Sequence, residues 1–500
     1  MRSLLPTIVL AGALLPVGCS IVSAQANPSP QGSTGILTAK APAGQPNPPS
    51  SEAYLLRASD NKRYLVDQRN RPFLMVGDAP QTIIANLSVT EAATYMANRR
   101  DYGFNTLWIN LLCNFSEVCN KDATTVDGEA PFLDGDDLSR PNPAYFKRAD
   151  EIIRLAATYG MVVLLDPIET SSWLPVLRRA GLEQAFKCGQ YLGRRYKDFP
   201  NIVWMHGNDF QSWRMSTDTA LVQAVARGIR SEDQVHIHTV ELNLATSGSL
   251  DDPSWAPLIE LDAAYTYYPT YGQVLVEYNR AEHKPVFMVE ANYEFEHEED
   301  GSPRSLRRQE YWTMLSGATG QVYGSAYTWR LAKGWEGKID SPGASQFRVM
   351  KDFFIQRRWY DLVPDQDHAV VVRGYGQLAE YVRRLAARYG NRPLPFDPVA
   401  RLNAYTKLGL VSRNTFAPAA RTADGTLAVA YLPTSRTVTV AMSTLSGPVT
   451  GRWFDPTSGS YIPITGSPFA NVGSHDFQPP GINKAGDDDW VLVLEANPRD

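Results

Sequence analysis

Cysteine is scarce, with four residues in a chain of 500, and no Cys-x-x-Cys pair occurs, which argues against a structural zinc module. No stretch is rich in Lys or Arg and the net charge is only −5, so a nucleic-acid footprint is excluded. Past the N-terminus no apolar run is long enough to cross a membrane as a helix. No Gly-x-Gly-x-x-Gly follows the first strand-like run, which speaks against a dinucleotide fold. A Gly-x-Ser-x-Gly elbow is also missing, which disfavours serine esterase chemistry. Sequence repeats are not evident. Aromatic residues, in contrast, are plentiful: 24 Tyr and 11 Trp. Such rings can stack on sugar faces while their polar tips hydrogen-bond, although most of them serve a core.

The length suits a large catalytic domain with an accessory one. Residues 1–26 read as a signal peptide: Arg2, then "LLPTIVLAGALLPVG", then the small-x-small site "AQA" at Ala24–Ala26. Export is the expectation, to the periplasm or beyond, with a lipid anchor on Cys19 as the alternative. Residues 27–51, rich in Pro, Gly, Ser and Ala, read as a flexible leader. Three cysteines then remain. Cys113 and Cys119 are spaced to close a small disulfide loop, leaving Cys188 free; three reduced buried thiols is the other reading.

From residue 52 short β-rich runs alternate with helix-period segments. The runs are "PFLMVGD", "FNTLWINLL", "MVVLLDPIE", "NIVWMHGND", "VHIHTVEL", "AAYTYY", "PVFMVEA" and "QVYGSAYTW". Ser88 with Glu91 marks a capping box, and Gly160 a helix C-terminus. Eight strands alternating with helices across 52–362 predict an α/β fold of the (β/α)8 TIM-barrel type. Residues 363–500 turn to Thr/Val-rich alternation broken by turn residues, which predicts an antiparallel β-sandwich.

A barrel of this kind works at the C-terminal ends of its strands. Those ends carry Asp78, Asn110, Asp166 with Glu169, Asn208 with Asp209, Glu241 with Asn243, Tyr267 with Tyr268, Glu290 with Asn292, and Trp329 with Arg330. Strands four and seven face each other across the mouth, so Asp209 and Glu290 form the candidate catalytic pair. Glycoside cleavage needs such a pair, one acid to protonate the leaving oxygen and one carboxylate to attack or to activate water. Asp209 must then hold a proton near neutral pH, which a negative Glu290 nearby would favour. Asn208 is expected on a sugar hydroxyl, and His206 either polarises Asp209 or packs inward as a satisfied histidine. Trp173, Tyr293 and Trp329 are candidate sugar platforms. His236 with His238, and the acidic "EFEHEED" of Glu294–Asp300, are read as structural, so neither a metal nor a cofactor is expected.

"RYLVDQRNRPFLMVGDAPQTIIANLSVTEAATYMANRRDYGFNTLWINLL" resembles the opening of the apiosidase-like glycoside hydrolases, and "DGTLAVAYLP" with "RWFDPTSGSY" resembles the collagen-binding-type sandwich that follows the barrel in that family. The resemblance implies a retaining glycosidase acting on furanosidic sugars such as apiose in pectin, with Asp209 as acid/base and Glu290 as nucleophile. The loop "NFSEVCNKDATTVDGEAPFLDGDD" and a helical insert around residues 377–389 depart from the pattern. Other functions in view are an arabinofuranosidase or another pentofuranosidase on the same scaffold, and a glycan- or matrix-binding surface protein without activity. The expected partner is an oligo- or polysaccharide, bound by a monomer.

Overall fold

The computed structural model describes residues 54–116, 118–212, 215–242, 246–378 and 409–496. The expected signal peptide, the leader, nearly all of the helical insert and Asn243 lie outside these residues. Eight strands follow in the expected order: β1 (Met75–Asp78), β2 (Thr106–Asn110), β3 (Val162–Asp166), β4 (Ile202–His206), β5 (His238–Val240), β6 (Asp262–Thr266), β7 (Val286–Glu290) and β8 (Gly320–Tyr323). Neighbours pair in parallel from β6 through β7, β8, β1, β2, β3 and β4 to β5.

Between β5 and β6 the closure is of another kind. Glu260 and Leu261 donate backbone N–H groups to the His238 carbonyl. The Ser249 hydroxyl donates to Val240 O at 2.6 Å and accepts from Ala263 N at 2.8 Å. A hydroxyl that is donor and acceptor at once replaces a rung of the ladder. Beside it Thr246–Ser247 pairs antiparallel with β6.

Each strand alternates sides, as its period of two requires. Trp108, Val162, Leu164, Val203, Met205, Ala263 and Tyr265 fill the barrel interior. Leu107, Ile109, Val163, Leu165 and Trp204 point outward against the helices. Several of those helices begin where a side chain satisfies free backbone N–H groups. Val89–Asp101 starts on the Ser88–Glu91 capping box, which contributes on the order of 1 kcal/mol. Pro143–Thr158 is followed by Gly160 at φ 70°, a left-handed position that glycine takes without strain. Among the described residues no helix is long and apolar enough to cross a membrane.

The second half is antiparallel. A six-stranded sheet runs in the order Leu362–Pro364, Ala419–Thr422, Leu427–Leu432, Trp490–Ala496, Val449–Phe454, Tyr461–Pro463. Val371–Arg373, Val438–Ala441 and Ser474–Phe477 form a smaller sheet. Ala430, Leu432, Val438, Val440, Leu492 and Leu494 make the core of this sandwich. The other face of the large sheet, with Val429, Tyr431 and Val493, packs on Tyr311, Phe347 and Phe353 of the barrel's helices. Arg307, 1 % exposed, crosses this junction to Asp489 at 2.8 Å and Asp487 at 2.6 Å. Removing either partner of such a buried pair strands a charge.

Candidate active site

The apolar run of β4 ends in a turn of three consecutive left-handed residues: Gly207 at φ 112°, Asn208 at 67° and Asp209 at 56°. A Cβ on residue 207 would collide with the Glu241 carbonyl oxygen, so only glycine fits there. The other two residues hold a conformation that costs about 1–3 kcal/mol each and persists only if its surroundings enforce it. They do. Thr170 donates its hydroxyl to the carbonyls of Gly207 (2.6 Å) and Asn208 (2.8 Å), and Glu241 Oε2 accepts from the Asp209 N–H at 3.3 Å. The Asn208 side chain lies between Asn110, whose amide donates to it at 3.4 Å, and the carboxyl of Glu241. Trp108 Nε1 in turn fixes Asn110 at 3.0 Å.

Across the mouth, strict alternation along β7 would send Glu290 outward, because Phe287 and Val289 both face the interior. The register instead slips by one: Ala264 pairs with Met288, but Tyr265 pairs with Glu290. This bulge re-aims the carboxylate, and Glu290 joins Tyr265 at the interior. Three phenols then hold it. Tyr265 donates to Oε1 at 2.8 Å, Tyr267 to the same oxygen, and Tyr293 to Oε2 at 3.0 Å. Glu290 is 7 % exposed and Asp209 half-buried. Burial and the charge of Asp209 push the Glu290 carboxyl up to about 8, against the pull of the three hydroxyls. The three donors favour the ionised form of Glu290, while burial and the charge of Asp209 favour the neutral one. Glu290 on β7 and Asp209 at the end of β4 thus stand together at the mouth of the barrel.

A model described as "Apiosidase-like, catalytic domain" matches residues 59–361, more than half of the chain. The chain belongs to the apiosidase-like family. It is a glycoside hydrolase, with a barrel and a following sandwich. A second model, "Putative collagen-binding domain of a collagenase", matches residues 411–495. Two solved structures share the fold over nearly the whole chain. One, a "Glycoside hydrolase", is 22% identical at a TM-score of 0.72, covering 89% of this chain and 97% of the other. The second, a glycoside hydrolase family 5 protein from Bacteroides vulgatus, is 21% identical at a TM-score of 0.72, covering 89% and 94%. No curated protein matches the chain.

Within this apiosidase-like barrel Asp209, Glu290, Asn208, Asn110, Tyr267 and Tyr293 come together, and Trp329 stands half-buried at the rim with its Nε1 on Glu296 (3.0 Å) and Arg330 over its ring. Other predicted site residues lie elsewhere. His206 does not polarise Asp209. It follows the outward set of β4, stacks on His238 and Trp255, and shares a hydrogen bond with His238 at 3.0 Å. Burial drops its imidazole to about 3. Asp78 also points outward, into an ion pair with Arg99 (3.2 Å) in which both side chains are fully buried. Glu169 is the N-cap of the helix Thr170–Tyr196, accepting from Ser171 N and Ser172 N. Trp173 is core, its Nε1 bonded to Cys113 O and its ring edged by Phe115 and Phe132. Tyr268 is 2 % exposed. Asp166 is fully buried and accepts from Ile168 N at 3.1 Å; burial, reinforced by Glu169, raises its carboxyl well above the usual range.

Cys113 and Cys119 are joined as a disulfide and Cys188 is free and buried. Among the described residues no group of three or more His, Cys, Asp or Glu side chains is placed to hold a metal. Glu294, from the acidic stretch, is buried under Tyr323 and Ser341 and accepts from Gly343 N. Two site residues were missed by sequence reasoning. Tyr265 lies two positions before Tyr267 and so on the same face of its strand, the signal that points it to the site. Glu241 stands at a strand end, but nothing in the sequence pairs it with Asn208 and Asp209.

Proposed function

We propose that this glycoside hydrolase is a retaining enzyme with Glu290 as nucleophile and Asp209 as acid/base, cleaving a furanosidic linkage, apiose-like or of a related pentofuranose, in a complex polysaccharide such as pectin. The observation that carries this reading is the cage of three tyrosine hydroxyls on Glu290 beside Asp209. It favours one ionised and one protonated carboxyl, the state from which double displacement starts. Glu290 attacks the anomeric carbon while Asp209 gives its proton to the departing oxygen. Asp209, now ionised, takes a proton from water as that water attacks the glycosyl–enzyme bond, and Glu290 leaves. Asn208, held by Asn110, hydrogen-bonds a hydroxyl of the reacting sugar. The furanose preference rests on family membership, and the signal-like residues 1–26 make an exported enzyme the reading.

The experiment is a screen of the mature protein on pectic and arabinan-type oligosaccharides, reading the anomer of the first product by NMR. Retention is expected, and inversion would overturn the mechanism. Glu290→Gln should abolish turnover on every substrate found. Asp209→Ala should keep activity on activated leaving groups and be rescued by azide; equal loss on all substrates would remove Asp209 from the acid/base role.

A further inference from the structure

A third carboxyl belongs to this site and has no counterpart in the two-residue scheme. Glu241 follows β5, is fully buried, and accepts the backbone N–H of Asp209 on Oε2. The Asn208 side chain also bonds to its carboxyl. Its Oε1 is buried and has no hydrogen-bond partner among the described residues. The charged groups facing it there are Asp209 and Glu290, both acidic, with the phenols of Tyr265 and Tyr293 nearby. Being sealed from solvent, it cannot touch a sugar. It can hold what does.

We propose that Glu241 is a positioning residue: as a neutral carboxylic acid it clamps the left-handed turn Gly207–Asn208–Asp209 and so fixes Asp209 against the leaving oxygen. Two facts favour the neutral form. An ionised carboxylate with a bare oxygen in a sealed site, flanked by two more acids, would cost several kcal/mol of desolvation. A proton on Oε1 leaves Oε2 free to accept from Asp209 N–H and the Asn208 amide. Burial and the two acidic neighbours act in the same sense, raising its carboxyl well above the ordinary range. The turn needs such a clamp, because two of its three residues sit at positive φ without being glycine.

This rests on the assignment of Asp209 and Glu290, and the test separates the two. The full-length protein is compared with Glu241→Gln and Glu241→Ala on phenyl and 2,4-dinitrophenyl pentofuranosides across pH. The neutral, isosteric amide should leave kcat/KM and both pH limbs close to wild type. The truncation frees the turn, so it should lose on the order of 100-fold on the phenyl glycoside and much less on the dinitrophenyl glycoside, whose leaving group needs no proton. The wild-type-minus-Gln infrared difference at pH 7 should contain the carbonyl stretch of a neutral carboxylic acid, and that readout stands even if the alanine variant fails to fold. Equal losses for Gln and Ala, an alkaline limb lowered by about one pH unit in Glu241→Gln, or no such band would each overturn the proposal. If Glu290→Gln stayed active, the catalytic assignment would fall; if Glu290→Gln is dead while Gln and Ala at 241 behave alike, only the role of Glu241 falls.

Discussion

Tyr293→Phe removes one hydroxyl and little volume, and it tests whether the phenols keep Glu290 ionised. Tyr293 donates to Oε2 at 3.0 Å, whereas Oε1 has both Tyr265 and Tyr267. A hydrogen bond to a charged acceptor is worth about 1.5–3 kcal/mol. At about 1.4 kcal/mol per unit that equals one to two pH units. Losing a donor that stabilises the ionised form makes Glu290 hold its proton more tightly, so its apparent pKa rises further. The acid limb of kcat/KM should therefore move to higher pH by one to two units. Below pH 8 the loss is roughly 10- to 150-fold, and it shrinks only as pH rises above 8 toward the shifted limb. The assay is a pH profile of kcat/KM on one substrate for both proteins. An acid limb that stays put, or moves to lower pH, would refute the electrostatic role of the phenol, and a pH-independent loss would point to packing instead.

Gly207→Ala should lower kcat on the order of 100-fold through misplacement of Asp209 and cost about 1–3 kcal/mol by urea unfolding, because the new methyl meets the Glu241 carbonyl at a positive φ; unchanged kcat would mean that the turn relaxes freely. Asp78→Asn leaves Arg99 buried without its anion and should destabilise by about 3–5 kcal/mol while both pH limbs of activity stay in place; limbs that move would return Asp78 to the site. Glu310 is buried, with its carboxyl pushed up to about 8 by burial. Its unfolded form titrates in the ordinary carboxylate range, so its contribution is complete at acid pH and is lost as pH rises through about 8. Glu310→Gln should accordingly raise Tm relative to wild type more at alkaline than at acid pH, and the reverse order would contradict the assignment.

The eight strands and their rim were legible because a (β/α)8 barrel repeats a short apolar run ending in polar residues, and eight such runs stand in the chain. Which polar residue turns inward was less legible. Period two along β4, read from Val203 and Met205, already sends His206 outward, and the same count sends Asp78 outward from β1. Glu169 sits beside Asp166 at the rim, but its position just before Thr170, Ser171 and Ser172 is that of a helix cap. Glu290 is the opposite case: period two excludes it from the interior, and only the bulge opposite Tyr265 brings it back, a feature of pairing that no single strand encodes. The carboxyl of Glu241 shows the same limit, since its partners are the backbone and side chain of residues 32 and 33 positions earlier.

The joint between β5 and β6 gives the fold a consequence of its own. Seven neighbouring pairs are fastened by backbone ladders, whereas the eighth is held mainly through one serine hydroxyl and the His238 carbonyl. Chain can be added or removed between Ser249 and Glu260 without unpicking a ladder. The segment that crosses the joint begins at Glu241, on the floor of the mouth. A lineage refitting this barrel to another sugar would find residues 250–259 the easiest stretch to recut, and the Ser249 hydroxyl with the Glu260 and Leu261 N–H groups the contacts to keep.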